Sequence, residues 1–287
     1  MSTALIQIRA MDCNAWASDA LLGPPSPLSV YLYLRALLAK CASLGLGEVV
    51  RYAVGLDEFE VDRGSYSNRP LMTYNGGDPK KMPPLFDEHR ATIAVRLAVQ
   101  TSNTPEQVDT NALAEFIRVN PFLGGLACPE HVRWADSEDG VARFLSEAGI
   151  VVDKTPEARA HFANTDPFNV ARAILMANTP PEVVKAVSDR YGITPELWSW
   201  VSGRSLRVTP LGYRRMSSFE PRQGMRHVLL RGEIAESKHA YVESIYGVTE
   251  IVGTRRALQG RMWWRPVVAP SLSSPIPLFV EGEIQHG

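Results

Sequence analysis

The sequence predicts an α+β fold in which a helical block interrupts a sheet, and three observations support this. First, β-leaning runs stand at both ends of the chain: residues 4–10, 48–56 and 90–100, then 206–213, 226–234, 241–252 and 262–268. Second, residues 155–201 between them are helical in pattern throughout. Third, with 45% apolar and 21% charged residues among 287, the chain has ample material for a core, which excludes intrinsic disorder. Sheet residues on either side of a helical excursion divide the chain into an α+β part (1–150), a helical insertion (151–203) and a closing set of strands (204–287).

The elements follow in order. Residues 4–10 (ALIQIRA) read as a first strand, and 11–27 are too rich in Asn, Ser, Gly and Pro to be regular. Ser26 then caps a helix whose first residue is Pro27. Only Arg35 and Lys40 are charged between 28 and 42, so this helix is buried on most sides, and Gly45 stops it. Residues 48–56 form a second strand that 59–62 extend or pair with. Residues 64–84 read as a long surface loop around an Asn75-Gly76 turn.

Residues 90–100 alternate. Ile93, Val95, Leu97 and Val99 face one way, while Thr92, Ala94, Arg96 and Ala98 leave the other face open for something flat. A short helix (111–119), a tight glycine-paired path (121–128), a strand (131–135) and a helix (138–148) come next. In the helical block, Asp166-Pro167, Thr179-Pro180 and Thr194-Pro195 each read as a capping side chain followed by an N1 proline. Trp263 and Trp264 are strand neighbours, so one ring is expected in the core. Trp198 and Trp200 read as core or partner contacts. Strand, helix, strand at the start fits a ferredoxin-like, RNA-recognition-type unit with an inserted helical subdomain.

Several function classes drop out. No window approaches about 18 uncharged apolar residues, and residues 1–9 have no basic stretch ahead of an apolar one, so a cytoplasmic protein without membrane contact is expected. Cys13, Cys41 and Cys128 form neither a disulfide framework nor a zinc knuckle, and no cofactor or metal is expected. Motifs for a nucleophile elbow, a P-loop, a zincin or a dinucleotide site are missing from the sequence. Asp87-Glu88-His89 reads as a charged strand entry rather than an acid/base cluster, and Cys13 and Cys41 as small buried hydrophobes. His227 and His239 flank a basic region. They serve either as donors to phosphate or as the acid and base of a metal-independent RNA cleavage.

That basic region is the main signal. Residues 201–265 hold twelve basic side chains, eleven of them arginine, against five acids, so this span carries +7 and the remainder −8. A solvated face is the plain alternative. Against it stand the alternation of arginines with strand-forming and aromatic residues, as in Tyr213-Arg214-Arg215, and the interspersed Gly212, Gly224, Gly232, Gly247, Gly253 and Gly260. Guanidinium forks suit phosphate, and neighbouring aromatics offer stacking faces.

Several segments together resemble one group of CRISPR-associated proteins. These are Ile6-Gln7-Ile8, then Cys13-Asn14-Ala15-Trp16-Ala17-Ser18, then Leu22-Gly23-Pro24-Pro25-Ser26 leading into the apolar helix. Pro83-Pro84-Leu85, His89-Arg90 and the alternating strand add to it. So do Leu123-Gly124-Gly125, Pro210-Leu211-Gly212-Tyr213 and residues 240–247. The group is the RAMP-superfamily subunits that bind the 5′ handle of the guide RNA in type I-F (Csy) surveillance complexes. Pro24 stands where such proteins commonly carry an aromatic, so a close variant or a type IV complex stays in view.

The resemblance implies a non-catalytic subunit of a Cascade-type antiviral assembly. It would bind the crRNA 5′ handle, pair with a large subunit and abut the first backbone subunit, and whether the 64–84 loop meets target DNA stays open. It implies Asn14 and Ser18 as contacts in the first loop. Arg204, Arg207, Arg214, Arg215, Arg222, Arg226, Arg255 and Arg256 would serve as phosphate or base contacts, and Tyr213 and Tyr241 as stacking faces. A metal-independent endoribonuclease of the same superfamily and a protein-binding scaffold remain as alternatives.

Overall fold

The structure, a computed structural model, describes residues 3–18, 21–62, 89–103, 109–218, 220–221, 229–230, 233–234, 238–239, 241–257, 262–268 and 278–283. The 64–84 loop, Arg222, Arg226, His227 and Asp87-Glu88 lie outside these residues. So do the side chains of Ser18 and His239.

The first half builds a βαββαβ unit. Its elements are β1 (Thr3–Asn14), α1 (Pro27–Lys40), β4 (Val49–Val61), β5 (Arg90–Thr101), α2 (Thr110–Arg118) and β6 (Leu126–Ala135), with the short pair β2 (Trp16–Ser18) and β3 (Leu21–Leu22) between β1 and α1. The strand order β6-β1-β5-β4 is antiparallel throughout, with Ile6 opposite both Leu97 and Val132 and with Val54 opposite Leu97. Two crossing βαβ connections in that order make the ferredoxin-like arrangement. Helix α1 starts where its chemistry dictates: the Ser26 hydroxyl accepts from the Ser29 N–H at 3.0 Å, and Pro27 occupies the first helical position. The helix ends at Lys40, and Gly45 follows in the left-handed region. Leu28, Val30, Tyr31, Leu34 and Leu37 enter the main core against Ile6, Ile8, Val95, Leu97 and Val99, and the Tyr52 hydroxyl donates to the Pro27 carbonyl at 2.8 Å.

The opposite face of the sheet is not open, which corrects the expectation for the second face of β5. Helix α3 (Glu138–Leu145) covers it, packing Val141, Phe144 and Leu145 onto Leu5, Ala53 and Ala98. Small side chains at Ala94 and Ala98 admit a helix there. Arg96 is occupied by Asp57 at 2.9 Å, Glu147 at 3.0 Å and the Phe144 carbonyl at 2.8 Å.

After α3 the sheet continues through β7 (Gly149–Asp153), β8 (Leu206–Arg215), β13 (Val242–Val252), β14 (Trp263–Val268) and β15 (Leu278–Gly282). The two-residue strands β9 (Glu220–Pro221), β10 (Leu229–Leu230), β11 (Glu233–Ile234) and β12 (Lys238–His239) pair among themselves, and the short helix α8 (Thr254–Ala257) follows β13. The order β4-β7-β13-β8-β15-β14 returns to β4, because Trp263 pairs with Ala53 and Trp264 with Tyr52. Six strands therefore form a closed ring. Both tryptophans are buried, one in each of two cores, which corrects the expectation of a single core ring. Trp264 enters the main core and donates to the Val151 carbonyl at 2.9 Å, while Trp263 enters the core under α3.

Between β7 and β8 lie α4 (Thr155–His161), α5 (Pro167–Met176), α6 (Pro181–Tyr191) and α7 (Pro195–Val201). Asp166 and Thr194 cap α5 and α7 as their sequence contexts imply. Helix α6 differs. It begins at Pro181, with Pro180 in the cap position, and the Thr179 hydroxyl turns back to the Met176 carbonyl at 2.8 Å. The second proline of the pair takes the N1 place, which leaves no capping side chain.

Candidate nucleic-acid interface

One end of the ferredoxin-like sheet gathers residues far apart in sequence. The Asn14 N–H donates to the Leu123 carbonyl at 3.0 Å, and the Ala15 N–H donates to that of His89 at 2.9 Å. Phe122 and Gly125 close a turn on each other through bonds of 2.9 and 3.0 Å, with Leu123 at φ +50 and Gly124 at φ +82 between them. Asp12 sits at φ +58, and its carbonyl accepts from an Arg90 guanidinium N–H at 3.1 Å. A side chain on Gly125 would collide with the Met11 carbonyl and Cys13, so only glycine lets the turn lie this close to β1. Left-handed backbone at Asp12 and Leu123 costs about 1–2 kcal/mol each, and persists where the surroundings hold it. Asn14, Asp12 and Gly124 are exposed at this end. An amide side chain, a guanidinium and a constrained backbone turn can read sugar and base edges as well as a phosphate.

Buried chemistry here is inert. The Cys13 thiol donates to the Phe122 carbonyl at 3.3 Å, and burial pushes its pKa up to about 11. Burial also raises the Cys41 thiol.

Among the described residues, the arginines of the rich span do not all stand free at the surface. Arg204 corrects its expected role as a phosphate contact. Its Nε and Nη2 make a two-pronged contact with Glu250 at 3.0 and 2.8 Å, its Nη1 reaches Glu157 at 2.8 Å, and its carbon lies 4.7 Å from the Trp200 ring centre. Those carboxylates hold the guanidinium pKa above its ordinary value despite burial, and Lys154 bonds Glu157 at 2.6 Å. The physical reason is location. Arg204 sits where the helical block meets the sheet, opposite a Glu250 only 2% exposed, and an uncompensated charge there is untenable.

The other expected arginine contacts that are described lie on β8 and α8. Arg214 is exposed with Glu243 at 3.7 Å, and Arg215 is half-buried and engaged. Arg255 and Arg256 are exposed on α8, whose Ala257 packs into the core under α3, and Arg256 approaches Glu250 at 3.9 Å. Tyr213 packs against the main core, which removes it as a free stacking face, whereas Tyr241 is 70% exposed. Ser18 pairs with Leu21 through the backbone. Arg207 is exposed, and its side chain makes no ion pair or hydrogen bond among the described residues.

Sequence reasoning missed Asp12 and the Arg204 network. A left-handed φ at an aspartate leaves no mark in composition, and Glu157 lies in a separate helix 47 residues from Arg204.

No family model matches the sequence, and no curated protein does. A crystal structure of a CRISPR protein from Archaeoglobus fulgidus aligns over 99% of this chain and 100% of that chain, at 11% identity and a TM-score of 0.31. So loose a superposition carries no argument about function. Among the described residues no helix is long and apolar enough to cross a membrane, and no group of three or more His, Cys, Asp or Glu side chains is placed to hold a metal ion.

Proposed function

We propose that the protein is a non-catalytic RNA-binding subunit of a CRISPR RNA-guided surveillance complex. It holds the 5′ handle of crRNA and packs against a large subunit and the first backbone subunit. The observation that carries this reading is the convergence of Asn14, Arg90 and the left-handed Leu123-Gly124 turn at one end of a ferredoxin-like sheet. The segment order described above supports it. Both faces of the four-stranded sheet are covered, so the strand would be gripped at this end and along loops rather than across the sheet.

The test is a salt titration of single-stranded handle RNA binding. The expected slope is about −0.7 per phosphate neutralised, and Asn14→Ala should weaken binding about fivefold with the fold intact by circular dichroism. A slope near zero, or wild-type affinity in Asn14→Ala, would overturn the reading. The same RNA incubated with protein in EDTA should stay whole. Cleavage products that vanish in His227→Ala or His239→Ala would replace the reading with a metal-independent endoribonuclease.

A further inference from the structure

A cavity of about 210 Å³ opens between the Gly23–Pro25 turn, the start of β8 and the end of α5. Its lining contains two arginines and no carboxylate. Arg204 is neutralised by Glu157 and Glu250, which leaves Arg207 as an uncompensated charge at the mouth. Arg207 stands opposite Thr249 in register, so the two share a face of the sheet. The Thr249 hydroxyl lies 2.8 Å from that of Thr209, and both residues are buried. Whichever hydroxyl donates, the other keeps an O–H with no acceptor among the described residues. The cavity thus holds a fork-shaped cation and a spare donor. Among its remaining described walls, buried Pro24, Pro25 and Ile174 and the half-exposed Leu175 are apolar, and Asn178 and Ser205 are polar.

An anion with an apolar body matches these walls. Arginine favours planar or tetrahedral oxyanions that take two hydrogen bonds, and flat rings pack on proline and leucine. At about 210 Å³ the space falls below the ~300 Å³ at which drug-sized pockets begin, so it has room for one base, with the phosphate outside on the exposed Arg207. We propose that this cavity receives one nucleotide of the bound strand, its phosphate on Arg207 and its base between Pro24, Pro25 and Leu175. This rests on the RNA-binding reading.

The test titrates the full chain, wild type and Arg207→Gln, with cytidine 5′-monophosphate, inorganic phosphate and single-stranded RNA. Among the described residues the Arg207 side chain has no partner to orphan, so the variant should fold normally, and Arg207→Lys serves as a charge-retaining control. Wild type should bind the mononucleotide more tightly than phosphate. Arg207→Gln should lose about tenfold in affinity, with Arg207→Lys intermediate. Equal mononucleotide binding by wild type and Arg207→Gln overturns the proposal, as does phosphate binding as tight as that of the mononucleotide. RNA bound by wild type without any mononucleotide binding refutes the cavity site alone. Mononucleotide held at Arg207 with no RNA binding refutes the RNA reading and leaves the cavity as a nucleotide site.

Discussion

The ferredoxin-like half and the helical block hold themselves together differently. In the first, α1 and the sheet share a core of thirty described buried apolar residues, all but Val151, Leu211, Trp264 and Val280 supplied by that half, among them Leu34 and Leu37 at 1% exposure. In the second, nine such residues suffice, two of them, Leu206 and Val248, supplied by the sheet, α6 buries none, and a charged cluster of Lys154, Glu157, Arg204 and Glu250 completes the junction. An apolar core tolerates almost no polarity but is indifferent to pH. A charged junction is directional and depends on every member keeping its partner. The first half behaves as the frame and the block as an attachment that local changes can loosen.

The sharpest way to break the comparison is Leu34→Asp. A charge in the main core should cost about 5 kcal/mol or more and abolish soluble expression, while Val183→Asp on the exposed first turn of α6 should stay within about 0.5 kcal/mol. Thermal melts and soluble yields of the two variants check this. Next, Glu250→Gln should cost about 3 kcal/mol by leaving Arg204 short of a buried counter-charge. Amide exchange should speed up over residues 155–201 before the β1–β5 amides change.

The smallest effect is acidification. Burial alone would raise the Glu157 carboxyl, but hydrogen bonds from Lys154, Arg204 and Trp200 outweigh it and hold the pKa at about 2 against an ordinary 4.5. A depressed carboxylate pKa adds stability that is complete above pH 4.5 and fades as pH falls from there towards 2. Tryptophan fluorescence from Trp198 and Trp200 should report loosening in that window, with the β1–β5 amides protected.

Much of the frame was legible because its signals are local and repeated. Alternation marked residues 90–100, and Ser26-Pro27 marked the start of α1. β7 and β15 escaped notice: each is five residues long and gains its strand identity from partners far away, Val151 from Ile251 and Phe279 from Gly212. The Thr179-Pro180-Pro181 start misled because either proline fits N1 and only the backbone path chooses. At the interface, Asn14 and Leu123-Gly124 stood out as a loop and a glycine turn, yet their meeting depends on the register of β1 against β6. The arginine count misled most. Net charge along a segment says nothing of which side chains end up facing carboxylates across a fold, as Arg204 does and Arg207 does not.

The strand ring also sets a schedule. Ribosomes release Tyr52 and Ala53 about 210 residues before the tryptophans that pair with them, a wait of about 10–40 s at ordinary elongation rates. Through that interval a stretch of β4 presents bare amides and carbonyls, and two half-built interiors lack their aromatic plugs. The last strands to emerge are therefore the ones that seal the earliest, so a nascent chain cut short before Trp263 should be a sticky, chaperone-dependent species however sound its opening half.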